Sequence, residues 1–175
     1  MTEIFFDPYL WLIFALIFNI GHMWFHVAMF RGYSTKHLGI HDGIVGYLGA
    51  LCVIILVYID RGTVPVSRMI AIPIGLLLFI MGIMIHLKAQ LDFNNYNKKM
   101  ILIDKGIYRY FKHPMYLGAS IAFLGLTIGS RSLFGLATVW LWVLLIVICG
   151  YLEEVKLRKD LPKGKYDEYA KRTWF

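Results

Sequence analysis

Residues 106–118 read Gly-Ile-Tyr-Arg-Tyr-Phe-Lys-His-Pro-Met-Tyr-Leu-Gly, and one apolar hairpin later come Glu153 and Glu154. His113-Pro114 reads as a helix start, because proline fits the first turn, where its missing N–H costs nothing. Such a start presents free N–H groups that favour a carboxylate or phosphate. Glu153 and Glu154 close an apolar block at a helix C-terminus, where the helix dipole disfavours negative charge, so they need a compensating partner. Two readings stay open. Either Lys156, Arg158 and Lys159 neutralise them in a salt-bridged tail, or one carboxylate accepts from a ribose diol while the other neutralises an ammonium or sulfonium. Tyr108, Tyr110 and Tyr116 are likewise either interfacial anchors or aromatic walls of a site for a small cationic cofactor.

The elements that must position these groups are membrane helices. Hydrophobic residues make up 59% of the chain and the mean hydropathy is +0.64, with the apolar residues in long blocks rather than amphipathic stripes. Five blocks stand out, at 9–30, 44–59, 69–87, 116–128 and 133–152. Three approach or exceed the roughly 20 residues a helix needs to cross the hydrocarbon core, the second is slightly short and the fourth clearly so. The expected fold is all-α and polytopic with five transmembrane helices, the last two a hairpin that crosses a thinned bilayer or is shielded by its neighbours. The first block lacks a basic N-terminal region and a small-residue cleavage site, so it is expected to be a retained helix. Residues 1–90 form a plain three-helix portion, and 91–175 carry the unusual chemistry.

Between the blocks, Lys and Arg are distributed unevenly: fifteen fall on the loop at 31–43, the segment at 88–115 and the tail, against Arg61, Arg68 and Arg131 on the other side. The positive-inside rule then puts the N-terminus outside and the C-terminus in the cytoplasm. The net charge of +7 follows from that topology and from attraction to anionic lipid headgroups, and no nucleic-acid partner is expected.

Within the spans, Cys52 and Cys149 read as packing residues rather than a disulfide. His22 and His26 share a helical face beside Asn19, but a metal needs ligands from other elements, and His37, His41 and His86 are scattered. Hydrogen bonding between helices is the simpler account, and no metal is expected. Gly118, Ala122, Gly125 and Gly129 form a small-residue stripe that either packs closely on a neighbouring helix or leaves room for a cofactor or lipid tail. Pro73 bends or starts the third helix.

The run GIYRYFKHPMYLG, followed about 35 residues later by EEVKL and then by KYDEY, resembles the isoprenylcysteine carboxyl methyltransferase family and the related phospholipid N-methyltransferases over roughly residues 86–175. The resemblance implies an integral membrane enzyme that uses S-adenosylmethionine without the soluble Rossmann-type fold. It implies cofactor contacts at Tyr108, His113, Pro114, Met115, Tyr116 and Glu153 with Glu154 beside it, and with Gly118 included if the stripe leaves room. Met100 to Ile103, including Leu102 and Ile103, would line the adenine side. Tyr166 and Tyr169 match a tail expected to form a short cytoplasmic helix over the site. Arg109 would orient a carboxylate acceptor, and Glu154 would take the proton of an amine.

Two departures matter. Lys112 stands where the family usually has arginine before His-Pro, which keeps the charge but loses the planar fork. Cys149 stands where the prenylcysteine enzymes present an arginine, which speaks against a prenylcysteine substrate and leaves a lipophilic or amphiphilic carboxylate, amine or thiol. The competing readings are an NADPH-dependent membrane reductase of the sterol-reductase type and a non-enzymatic haem-binding or structural membrane protein using His22, His26 or His86.

Overall fold

The structure is a computed structural model and describes residues 6–31, 36–96 and 102–174, with backbone only at 29, 30, 36–39 and 42. Six α-helices follow in order among the described residues: α1 (Pro8–Phe30), α2 (Lys36–Ile59), α3 (Arg68–Tyr96), α4 (Pro114–Ser130), α5 (Leu133–Asp160) and α6 (Lys165–Lys171), and a 3-10 turn at Gly106–Arg109 precedes α4. Among the described residues there is no strand, and the one β-bridge joins Phe111 to Trp174. Three helices are long and apolar enough to cross a membrane, over Pro8–Ala28, Arg68–Tyr96 and Leu133–Asp160, while Gly43–Ile59 and Pro114–Ser130 are shorter apolar helices. Both α3 and α5 continue beyond their apolar blocks, and those extra turns carry Asp92, Glu153 and Glu154. Pro73 lies inside α3 rather than at its start.

The tightest packing joins α3 to α4. Gly75 faces Gly129 and the Gly125 carbonyl, Gly82 faces Ala122 and the Gly118 carbonyl, and Gly118 faces the backbone of His86. A Cβ at Gly82 would overlap the backbone of Ala122, so the two helices touch main chain to main chain. Small residues allow that approach in a setting where lipid offers no hydrophobic drive for helices to associate. The small-residue stripe is therefore a packing seam. A second seam joins α1 to α2, where Asn19 fits over Gly49 and the His22 ring over Gly46. Ala15, Cys52, Val53, Val57 and Trp142 form a buried cluster between α1, α2 and α5. Both cysteines are buried and unbridged.

At the end of the molecule where α2 stops and α5 begins, Asp60 is buried and accepts from the Ser132 hydroxyl and the Phe134 N–H, each at 2.7 Å. Ser132 caps α5 by accepting from Gly135 N–H at 2.8 Å. A buried carboxylate is tolerated because donors surround it, and it ties the end of α2 to the start of α5.

Gly82→Ala is expected to lower stability in detergent by about 1–3 kcal/mol, because neither backbone can yield. Gly43→Ala, whose Cβ would meet nothing within 4 Å, should change stability by no more than about 1 kcal/mol. Thermal unfolding of the two variants checks the seam, and equal effects would disprove it.

Candidate functional site

His113 is the N-cap of α4 and Pro114 its first residue, as the His-Pro step predicts. The last turns of α5 run alongside. Gly150 makes room there, since a Cβ at that position would come within 3.3 Å of the His113 ring. The imidazole consequently lies against α5 with Nδ1 3.3 Å from Glu153 Oε2 and Nε2 3.2 Å from Glu154 Oε1. Nε2 is within hydrogen-bonding geometry of Glu154, and Nδ1 faces Glu153 as a close polar contact. The ring of Tyr116 stacks on His113 at 5.6 Å.

The two glutamates differ in their surroundings. Glu154 accepts from Lys112 Nζ at 3.1 Å on one oxygen and from Arg158 Nη1 at 3.4 Å on the other, and its side chain is 15% exposed. Glu153 meets His113 and remains 39% exposed. Of the three basic residues expected to neutralise the pair, Arg158 reaches Glu154, whereas Lys156 pairs with Asp160 at 2.5 Å. Lys112 acts here as a point charge on one carboxylate oxygen, a task that does not need the arginine fork.

The segment before α4 is held by a residue that the sequence analysis did not single out. Asp92, buried near the end of α3, accepts from Ile107 N–H at 2.8 Å and is paired with Lys88. Gly106 has φ +58°, and a Cβ there would overlap the Asp92 carboxylate, so glycine is required on both counts. The signal was an acidic residue just beyond an apolar block, one turn after a lysine, where a charge is retained only with a partner. This arrangement buries Tyr108 with Ala89 and Ile103 against Met115.

The tail folds back over the same segment. Trp174 N–H donates to the Tyr110 carbonyl at 2.7 Å, and Lys112 N–H donates to the Trp174 carbonyl at 2.9 Å. Tyr169 donates its hydroxyl to the Tyr108 carbonyl at 2.8 Å, and Leu102, Leu161, Tyr166 and Tyr169 form one buried cluster. Arg158 covers the Tyr166 ring at 4.8 Å and pairs with Asp167 at 3.1 Å. Burial, followed by the nearby Glu153 carboxylate, pushes the phenols of Tyr108 and Tyr169 up; burial, followed by Glu154, does the same for Tyr166. All three stay protonated and able to donate. The Tyr166 hydroxyl is buried beside the Glu154 carboxylate.

His113, Tyr116, Glu153 and Glu154 thus converge directly, with Tyr108, Leu102 and Ile103 packed in the adjoining layer. Met100 lies outside the described residues. Met115 presents its carbonyl to His86 Nδ1 at 3.1 Å, and Pro114 is fully buried. Gly118 is taken up by the contact with α3. Arg109 is exposed and lines a groove with Lys88 and Tyr110, in which His113, Glu153 and Glu154 take no part. His22 and His26 meet edge to face at 4.6 Å, and among the described residues no three His, Cys, Asp or Glu side chains converge as a metal site would require. The side chain of His37 lies outside the described residues.

A family model described as phospholipid methyltransferase matches residues 70–163, which takes in nearly all of α3, the clamp of His113 between the glutamates, and α5. No curated protein and no solved structure matches the chain.

Tyr169→Phe removes one buried hydrogen bond, about 0.5–1.5 kcal/mol, and is expected to speed hydrogen exchange across residues 165–174 while leaving α3 and α4 unchanged. Unaltered exchange would mean that the Trp174 pairing alone holds the tail.

Proposed function

The chain belongs to the phospholipid methyltransferase family, and on that premise we propose that it is an integral membrane enzyme that transfers the methyl group of S-adenosylmethionine to a lipophilic or amphiphilic acceptor at the cytoplasmic face. The topology that goes with this reading has five crossings, the N-terminus outside and the C-terminus in the cytoplasm. The excess of Lys and Arg on one set of loops supports it.

The observation that carries the proposal is the imidazole of His113 held between Glu153 and Glu154 at the start of α4. The residues present suit the cofactor's three charged groups. Glu153, the more open carboxylate, is fitted to an ammonium or a ribose diol, and the ring of Tyr116 offers a cation a π face. The first turn of α4 has no side-chain cap, which leaves it suited to the cofactor carboxylate. When bound, S-adenosylmethionine supplies an electrophilic methyl on a sulfonium, so the protein has to align an acceptor with it and exclude water.

The chain's own groups divide that work. The tail, through Tyr166, Tyr169 and Trp174, shields the segment before α4 from solvent. Lys112, His113 and Arg158 keep Glu154 ionised, so that it accepts the proton released by an amine acceptor. A carboxylate acceptor needs no base, and Arg109, expected to orient it, lines a separate groove with Lys88 and Tyr110. Cys149 is buried in α5 and offers no charge to a prenylcysteine carboxylate, so the acceptor class favoured is another lipid, an amine or a thiol.

Calorimetry on the detergent-purified protein tests this. Glu153→Gln should weaken S-adenosylmethionine and S-adenosylhomocysteine by about 1–3 kcal/mol, the loss of a charged acceptor; unchanged affinity would remove the carboxylate from the site, and binding of NADPH alone would overturn the methyltransferase reading. In the same assay Tyr116→Ala should weaken both cofactors and Tyr110→Ala neither, with equal effects reducing both tyrosines to membrane anchors.

A further inference from the structure

At the end of the helices remote from the His113 clamp, α2, α3 and α4 enclose a pocket of about 430 Å³. Arg61, Arg68 and Arg131 stand around it, Ile54, Ile72 and Leu126 form its apolar wall, and no Asp or Glu lines it. These three arginines are the only basic residues that the charge distribution assigns to that side. They come from three separate parts of the chain, yet the fold gathers all of them at one cavity.

Two of the guanidiniums are held in place by the protein. Arg61 donates from Nη1 to the Tyr58 carbonyl at 2.7 Å and lies over the Tyr58 ring at 4.1 Å. Arg131, in the left-handed region at φ 57°, donates from Nη1 to the Val66 carbonyl at 2.9 Å. Each uses one of its five N–H donors in these bonds, which leaves most of the fork available. Arg68, the first residue of α3, has no hydrogen bond or ion pair among the described residues. The buried carboxylate at this end, Asp60, is turned toward Ser132 and Phe134.

Three like charges around one cavity repel unless an anion joins them. Guanidinium forks match phosphate oxygens in pairs, and the apolar wall beneath them suits an acyl chain rather than water. Basic pockets between membrane helices bind anionic lipid headgroups for these reasons. We propose that this pocket binds the phosphate of a negatively charged phospholipid, whose chain lies along Ile54, Ile72 and Leu126 and which braces α2, α3 and α4 against one another. The inference stands apart from the methyl-transfer site and does not depend on it.

Native mass spectrometry of the full chain in detergent tests it, with didecanoyl phosphatidylglycerol, the matched phosphatidylcholine and inorganic phosphate as probes. One phosphatidylglycerol should be retained at roughly a tenth of the phosphatidylcholine concentration. Arg61→Gln with Arg68→Gln should abolish that preference, Arg61→Lys with Arg68→Lys should restore part of it, and Lys163→Gln with Lys165→Gln in the tail should leave it intact. Both arginines are exposed, and thermal unfolding confirms that the variants fold. Equal retention of the two lipids, an undiminished preference in the double glutamine variant, or displacement of the lipid by inorganic phosphate would each overturn the proposal, the last by assigning the pocket to a free anion.

Discussion

The contact of α3 with α4 through backbone is the constraint from which the rest of the site follows. Because Gly75, Gly82, Gly118 and Gly125 present no side chains, the helices approach closely along their shared length. That approach sets the start of α4 beside the last turns of α3. Asp92 can then reach forward to Ile107, and His86 to the Met115 carbonyl. A wider separation would leave Asp92 with Lys88 alone and take the acceptor from the Ile107 N–H. The seam and the carboxylate are therefore parts of one arrangement. The first positions α4, and the second fixes the segment leading into it.

From there the electrostatics of α5 take over. A pair of glutamates at a helix C-terminus is unfavourable alone, and the compensation comes from another element, through Lys112 and His113, as well as from Arg158 one turn on. The result is asymmetric. Glu154 is enclosed and multiply bonded, whereas Glu153 keeps one partner and an open face. That difference leaves Glu153 the more open of the two carboxylates. The tail then covers the arrangement by main-chain bonds to Trp174 and the hydroxyl of Tyr169, which bury the aromatic layer without adding charge.

The two ends of the molecule use charge in opposite ways. At the His113 end, acidic and basic groups neutralise one another within the protein. At the other end, Asp60 is satisfied by caps on α5 and the arginines are left facing a cavity. Arg61, Arg68 and Arg131 come from separate parts of the chain, and the fold concentrates them around one cavity.

Much of this was legible in the residues. Long apolar blocks specify helices because a backbone in lipid has to satisfy its own hydrogen bonds. The small-residue stripe pointed to a helix seam for steric reasons, and His113-Pro114 marked a helix start because proline's missing N–H costs nothing in the first turn. These are local properties, decided by composition and by spacing along one element. Several things needed the tertiary structure. Of the expected partners of Glu154 only Arg158 reaches it, and Lys112 and His113 supply the others, because the choice depended on which helices lie side by side. Gly118 serves the α3 contact, Arg109 lines a different groove, and Asp92 and Gly150 acquire their roles only when a second element comes within a few ångströms. Pairwise chemistry of this kind is set by distance through space, and a linear sequence carries no record of that distance until the helices have packed.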